Sequence, residues 1–233
     1  MREVELKWRI TDAAFREGLW RLAIDEERIM RFRALMPHLR QASDDELRAR
    51  FGPDIIGNLE SAFERNIIYR TPEGVEVRLR MTVLHRALHG NADRHYELAL
   101  KGPPDPDSEF QDRDEQTLPL GSPPGNLVEG FLRRLGWEIT DVYEDHRTDL
   151  RLGGVLISKR VFPVLGTWME IEGMPEGILR CAQSFGLTKE NAVRKGWRTI
   201  WREYCEAHFE AGYDSHQLTF SAVRFKRGGG HRQ

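Results

Sequence analysis

Residues 3–8 read Glu3-Val4-Glu5-Leu6-Lys7-Trp8, and the alternation in this stretch decides the fold. In an extended strand successive side chains point to opposite faces. Val4, Leu6 and Trp8 therefore share one face, and Glu3, Glu5 and Lys7 share the other. The second face is charged with both signs, which fits neither an ordinary core nor an unpatterned surface. The same parity returns along the chain. Arg78 and Arg80, Glu97 and Lys101, Arg113 and Glu115, and Glu170 and Glu172 each fall on one side of a strand-like stretch.

Working outward from this segment, Phe15, Leu19, Leu22, Ile29, Phe32 and Met36 recur at helical steps and predict a helix from about Asp12 to Met36, stopped by Pro37. Ser43-Asp44-Asp45-Glu46 has capping-box spacing and predicts a short second helix. A third helical piece is expected over Pro53–Arg65. From Asn66 onward the pattern is one of strands: Val75–Leu84, His95–Lys101, Phe110–Leu118, Trp137–Asp149, Gly154–Phe162 and Thr167–Gly173. A helix at Pro123–Leu135 interrupts them and ends at Gly136. Helices over Pro175–Phe185 and Lys189–Phe209 follow, with a further strand expected over Leu218–Phe225. The fold class is α+β: a closed eight-stranded antiparallel β-barrel with flanking helices. One domain is expected over 1–210, with a helical insertion at about 12–65 and a partly flexible C-terminal extension over 211–233.

The 233 residues carry a net charge of −2, so the overall balance points neither to nucleic acid nor to an acidic tail. Cys181 and Cys205 have no zinc-ligand spacing and are read as reduced thiols. The N-terminus lacks an apolar signal region, and no run of about 18 apolar residues exists to cross a membrane. A cytoplasmic protein is expected. His85, His89, His95 and His146 show no metal-ligand spacing, and Gly228-Gly229-Gly230 neither follows a strand nor opens a helix, so it is not read as a phosphate loop.

A barrel turns all inward faces toward one lumen. Isolated buried charge is expensive, so a lumen lined with Arg, Lys and Glu calls for a polyanion and for cations. A polyphosphate with magnesium or manganese meets both needs. Guanidinium groups fork onto phosphate oxygens, and hard divalent ions take carboxylate and phosphate oxygens.

Several motifs, in order, carry a family resemblance. Glu3-Val4-Glu5-Leu6-Lys7, Val77-Arg78-Leu79-Arg80, Leu98-Ala99-Leu100-Lys101, Arg113-Asp114-Glu115, Arg147, and Leu165-Gly166-Thr167-Trp168-Met169-Glu170-Ile171-Glu172 resemble the successive strands of the CYTH superfamily, the triphosphate tunnel metalloenzymes. Phe185-Gly186-Leu187 and the following helix with Trp197 and Tyr204 resemble its C-terminal ending. The resemblance spans about residues 1–207. It implies a tunnel that hydrolyses inorganic, nucleoside or thiamine triphosphate, or a class IV adenylate cyclase. It implies Glu3, Glu5, Glu170 and Glu172 as ligands of Mg2+ or Mn2+, and Lys7, Arg78, Arg80, Lys101, Arg113 and Arg147 as triphosphate-binding groups. Glu5, Lys7 and Glu172 are the implied catalytic residues. Glu97 and Glu115 are secondary candidates for metal or water positioning.

The chain departs from that pattern in three places. Arg160, flanked by Lys159, stands where the family places an acidic residue before the Leu-Gly turn. Asp145 stands where the family has the lysine of a Lys-x-Arg strand. Residues 12–65 are longer and more helical than the usual connection, which leaves a lid or a homodimer surface open. The first two departures keep a third reading in play: a tunnel that binds a triphosphate or nucleotide without turning it over. Parity alone does not decide whether Lys159 or Arg160 enters the lumen, because a one-residue slip exchanges them.

Overall fold

The alternation that opens the chain becomes β1 (Arg2–Arg9), buried on both faces: Leu6 and Trp8 lie under helices, while Glu5 and Lys7 face inward. The computed structural model describes residues 2–23, 60–84, 93–103, 105–123, 125–152 and 154–222. After β1 come α1 (Asp12–Ala23), β2 (Glu60–Arg70), β3 (Glu76–Leu84), β4 (Asp93–Lys101), β5 (Gln111–Gly121) and α2 (Gly125–Arg134). They are followed by β6 (Glu138–Leu152), β7 (Val155–Phe162), β8 (Gly166–Glu172), α3 (Pro175–Ser184), α4 (Trp197–Ala207) and a short β9 (Gln217–Leu218). The architecture is α+β, an antiparallel sheet with flanking helices.

The strands pair in the order β2-β3-β4-β5-β1-β8-β7-β6, each antiparallel to its neighbour, and β9 adds to β6 in parallel. β2 also pairs with β6, from Glu60 opposite Asp149 to Arg70 opposite Glu138, so the series of eight returns to its first strand. Each of β1 to β8 contributes at least one residue to a shared cavity. α1 and α3 press Phe15, Leu19, Ile178 and Cys181 onto the outer residues Leu6, Trp8, Ile157, Met169 and Ile171. α2 packs Leu132 against Ile67, Tyr69 and Leu79. α4 places Trp197, Ile200 and Trp201 against Ile68, Tyr143, Phe162 and Trp168 at one end of the strand series. The tight turn between β7 and β8 puts Val164 at φ 66 and Gly166 at φ 80, and joins the two strands in the register that sets Phe162 opposite Gly166. Cys181 and Cys205 are buried and unbridged.

Three expectations change, and a fourth can be followed only in part. The helix predicted over Pro53–Arg65 is a strand from Glu60 onward, because Ala62, Glu64, Asn66 and Ile68 alternate with Phe63, Arg65, Ile67 and Tyr69 and find backbone partners on both sides. The helix predicted from Lys189 begins only at Trp197. Before it the Val193 amide donates to the Lys7 carbonyl at 2.7 Å, which ties the segment to β1. The strand predicted over Leu218–Phe225 is limited to Gln217–Leu218 and is followed by a helical turn at 220–222. The helix predicted to reach Met36 is described only as far as Ala23. Its remainder, the capping-box helix at Ser43–Glu46, residues 53–59, His85 and His89 lie outside the described residues. Among the described residues no helix is long and apolar enough to cross a membrane.

Candidate functional site

Register assembles the acidic residues. The β1–β8 pairing sets Glu5 opposite Glu172 and Lys7 opposite Glu170. One carboxylate oxygen from each of Glu5, Glu170 and Glu172 lies within 4.8 Å of the others. The Lys7 ammonium is fully buried beside them. It donates to the Glu5 carboxylate, to Gln111 Oε1 at 2.7 Å and pairs with Glu170 Oε1 at 3.1 Å. Burial alone pulls the Lys7 pKa down, but the charges of Glu5 and Glu170 outweigh it and hold the ammonium above its ordinary value. The indole of Trp197 caps the group, with Nζ 5.3 Å from the ring centre.

A second cluster sits on β2, β6 and β7. Arg160 donates from Nε to Asp145 Oδ2 at 2.9 Å and from Nη2 to Asp145 Oδ1 and Glu64 Oε2, each at 2.8 Å. Its Nη1 donates to Glu170 Oε2 at 3.1 Å. Arg147 donates to Glu64 Oε1 at 3.3 Å, to Asp149 Oδ1 at 2.6 Å and to Ser158 Oγ at 3.1 Å. Burial pushes the Glu64 carboxyl up, but Arg80, Arg147 and Arg160 together outweigh it and hold Glu64 down at about 2. Glu170 is likewise held well below its ordinary value, since Lys7 and Arg160 overcome its burial.

The third group lies on β3, β4 and β5. Arg78 donates to Glu115 Oε1 at 2.9 Å, Lys101 pairs with Glu115 Oε2 at 2.8 Å, and Arg80 pairs with Glu97 Oε1 at 3.2 Å. Between this group and the acidic trio is a cavity of about 540 Å³. Its basic lining is Lys7, Arg78, Arg80, Lys101, Arg160, Arg194, Lys195 and Arg198; its acidic lining is Glu5, Glu76, Glu170 and Glu172. Cations therefore outnumber carboxylates on its wall by two to one, although the chain as a whole is slightly acidic. Such a wall attracts anions.

The sequence-derived residues divide accordingly. Glu5, Lys7, Arg78, Arg80, Lys101, Glu170 and Glu172 converge on the cavity, as does Arg160. Arg147 is buried in the Glu64 cluster and does not line the cavity. Glu3 and Arg113 face each other in the β1–β5 register, and their side chains lie outside the described residues. Lys159 points outward, pairing with Asp12 at 3.1 Å, so Arg160 is the residue that enters. The His146 ring lies 4.9 Å from Phe220 and 5.7 Å from Phe63, away from the acidic trio. Three contributions escaped the sequence reading. Glu64 was assigned to a helix, Gln111 carries no charge to mark it, and Arg194, Lys195 and Arg198 were placed inside one continuous helix. The Ala62-Glu64-Asn66-Ile68 alternation was the signal that would have found Glu64.

Three carboxylates within a few ångströms of one another suit one hard divalent cation with phosphate or water completing its shell. The carboxylates of Glu64 and Asp145 are not part of such a group and instead bond Arg160 and Arg147.

No family model matches the chain, and no curated protein matches it. Solved structures do. The PH1819 protein of Pyrococcus horikoshii is 18% identical with a TM-score of 0.57, over 87% of this chain and 99% of that one. A candidate adenylate cyclase from Vibrio parahaemolyticus is 15% identical with a TM-score of 0.51, over 85% of this chain and 96% of that one. At these identities the likeness is one of fold, and the fold of this chain is the one these proteins share.

Proposed function

We propose that the eight strands enclose a tunnel of the CYTH kind, and that its cavity takes the triphosphate of a small molecule together with one divalent cation and hydrolyses a phosphoanhydride bond. The observation that carries this reading is the division of the cavity wall: a carboxylate trio on β1 and β8 and a set of cations on β3 and β4 line the same cavity.

Glu5, Glu170 and Glu172 would hold a magnesium or manganese ion, with Glu3, two residues before Glu5 in the sequence, as a further candidate ligand. Such an ion supplies Lewis-acid polarisation of a phosphoryl oxygen when bound. The chain's own residues do the rest. Arg78, Arg80 and Lys101 exchange their internal carboxylates, Glu97 and Glu115, for phosphate oxygens, with Arg113 next to Glu115 on the same strand. This keeps the cations ordered before substrate arrives, so little reorganisation remains when charge develops on the equatorial oxygens. Lys7, held charged between Glu5 and Glu170, donates to the phosphoryl group nearest the carboxylate trio. Glu172, which is only partly buried, accepts a hydrogen bond from the attacking water. Trp197 and Arg198 line the same cavity, with Arg198 held by Glu76 and Asp141.

Phosphate and pyrophosphate release from inorganic triphosphate, ATP and thiamine triphosphate tests the proposal, with Mg2+ or Mn2+ and with chelator. Metal-dependent release that Glu170→Gln/Glu172→Gln abolishes is the expected result. Cyclic AMP from ATP without phosphate release would replace hydrolysis by cyclisation in the same cavity. Binding without any product would leave a polyphosphate-binding protein, a reading that the fully paired Arg160 cluster favours.

A further inference from the structure

Arg160 is set apart from the other cations of the site by the number of carboxylates it serves. Its guanidinium makes four hydrogen bonds to three carboxylates on three strands: Asp145 on β6, Glu64 on β2 and Glu170 on β8. Both oxygens of Asp145 are taken by this one side chain. The group is 3% exposed, and its Cζ lies 5.6 Å from the ring centres of both Phe162 and Trp197. Apolar walls and forked bonds together leave it no second position. An arginine stays protonated at any physiological pH, so the positive charge is permanent.

From this geometry we infer that Arg160 is a resident cation: it supplies covalently the positive charge that Glu64, Asp145 and Glu170 require, in place of a divalent ion, and so limits the cavity to one metal ion. Three buried carboxylates arranged around one guanidinium need a compensating cation. Here the chain supplies it covalently. Glu170 belongs to both clusters, with Oε1 toward Lys7 and Oε2 toward Arg160. It links the permanent cation on one side to the exchangeable site formed with Glu5 and Glu172 on the other. The single-ion limit rests on the reading of that trio as a metal site, whereas the role of Arg160 as a substitute cation does not.

The test is Mn2+ binding, followed by the electron paramagnetic resonance signal of the free ion, on the wild-type chain, Arg160→Met and Arg160→Met/Asp145→Asn. Arg160→Met is expected to bind one more equivalent of Mn2+ than wild type and to gain a larger rise in melting temperature when Mn2+ is added. Removing the Asp145 charge in the double variant is expected to abolish that extra equivalent. A wild-type chain that binds no Mn2+ would remove the metal site of the proposed function, yet the increment in Arg160→Met would still support the resident cation. If Arg160→Met does not fold in metal-free buffer, refolding across a Mn2+ series reads the same property: a native circular dichroism spectrum that appears only with Mn2+ supports the inference. No additional Mn2+ and no rescue by it would overturn the inference and leave Arg160 as an ion pair of the fold alone.

Discussion

The β2–β6–β7 wall of the charged interior and the β1–β3–β4–β5–β8 wall use the same residue types in different ways. On the first, Glu64, Asp145, Arg147 and Arg160 bond one another, and the side chains of Glu64, Asp145 and Arg160 are at most 4% exposed. On the second, Lys101, Glu97 and Glu115 keep between 15% and 29% of their side-chain surface, and the cations face a cavity. Charges whose bonds go to buried partners rigidify a core. Charges that line open space are held ready for a ligand. The contrast shows that inward parity marks a residue as part of the lumen without saying which of these two tasks it performs.

Breaking the dry wall has the largest expected effect. Glu64→Gln leaves Arg147 and Arg160 short of a buried counter-ion and is expected to lower stability by about 3–5 kcal/mol, read from urea unfolding. The same variant sharpens the pH dependence. The Glu64 pKa is lowered to about 2 from an ordinary 4.5. Its stabilisation is therefore complete above the ordinary value and is lost as pH falls from there toward 2. Wild type should lose stability steeply over that acid interval, and Glu64→Gln should lose less. Equal slopes would mean that Glu64 does not carry the acid limb.

On the open wall, Lys101→Ala is expected to reduce triphosphate turnover by about a hundredfold, as loss of one oxyanion-stabilising donor does. Its melting temperature should stay close to wild type, because Lys101 pairs with Glu115 at a partly exposed position. A large stability loss with unchanged turnover would reverse the assignment of the two walls. The smallest effect is expected outside both. Lys159→Ala removes a pair with Asp12, whose side chain is 57% exposed, and a contact with the Phe15 ring at 5.6 Å. Stability should change by no more than about 0.5 kcal/mol. Turnover should be untouched; a collapse of activity here would mean that Lys159, not Arg160, serves the lumen.

Much of this was legible in the sequence because parity is local. Glu5 and Lys7, Arg78 and Arg80, and Glu170 and Glu172 declare a shared face within a few residues, and the strands that carry them lie close to where alternation placed them. Glu64 was hidden for the opposite reason. Its strand gains its identity from two long-range partners, β3 and β6, while the residues just before it lean toward helix. The choice between Lys159 and Arg160 needed the β7–β8 register, which sets Arg160 opposite Trp168. The basic segment at 194–198 needed the Val193 bridge to β1, a contact between residues far apart in sequence.

Isothermal titration of inorganic triphosphate into the chain, with Mg2+ and then with chelator, tests the central claim that the open wall is a polyanion and metal site. The account predicts binding in both buffers, tighter with Mg2+, and a Glu170→Gln/Glu172→Gln variant that keeps the metal-free binding while losing the Mg2+ enhancement. Absence of binding in either buffer by a folded wild-type chain would contradict it.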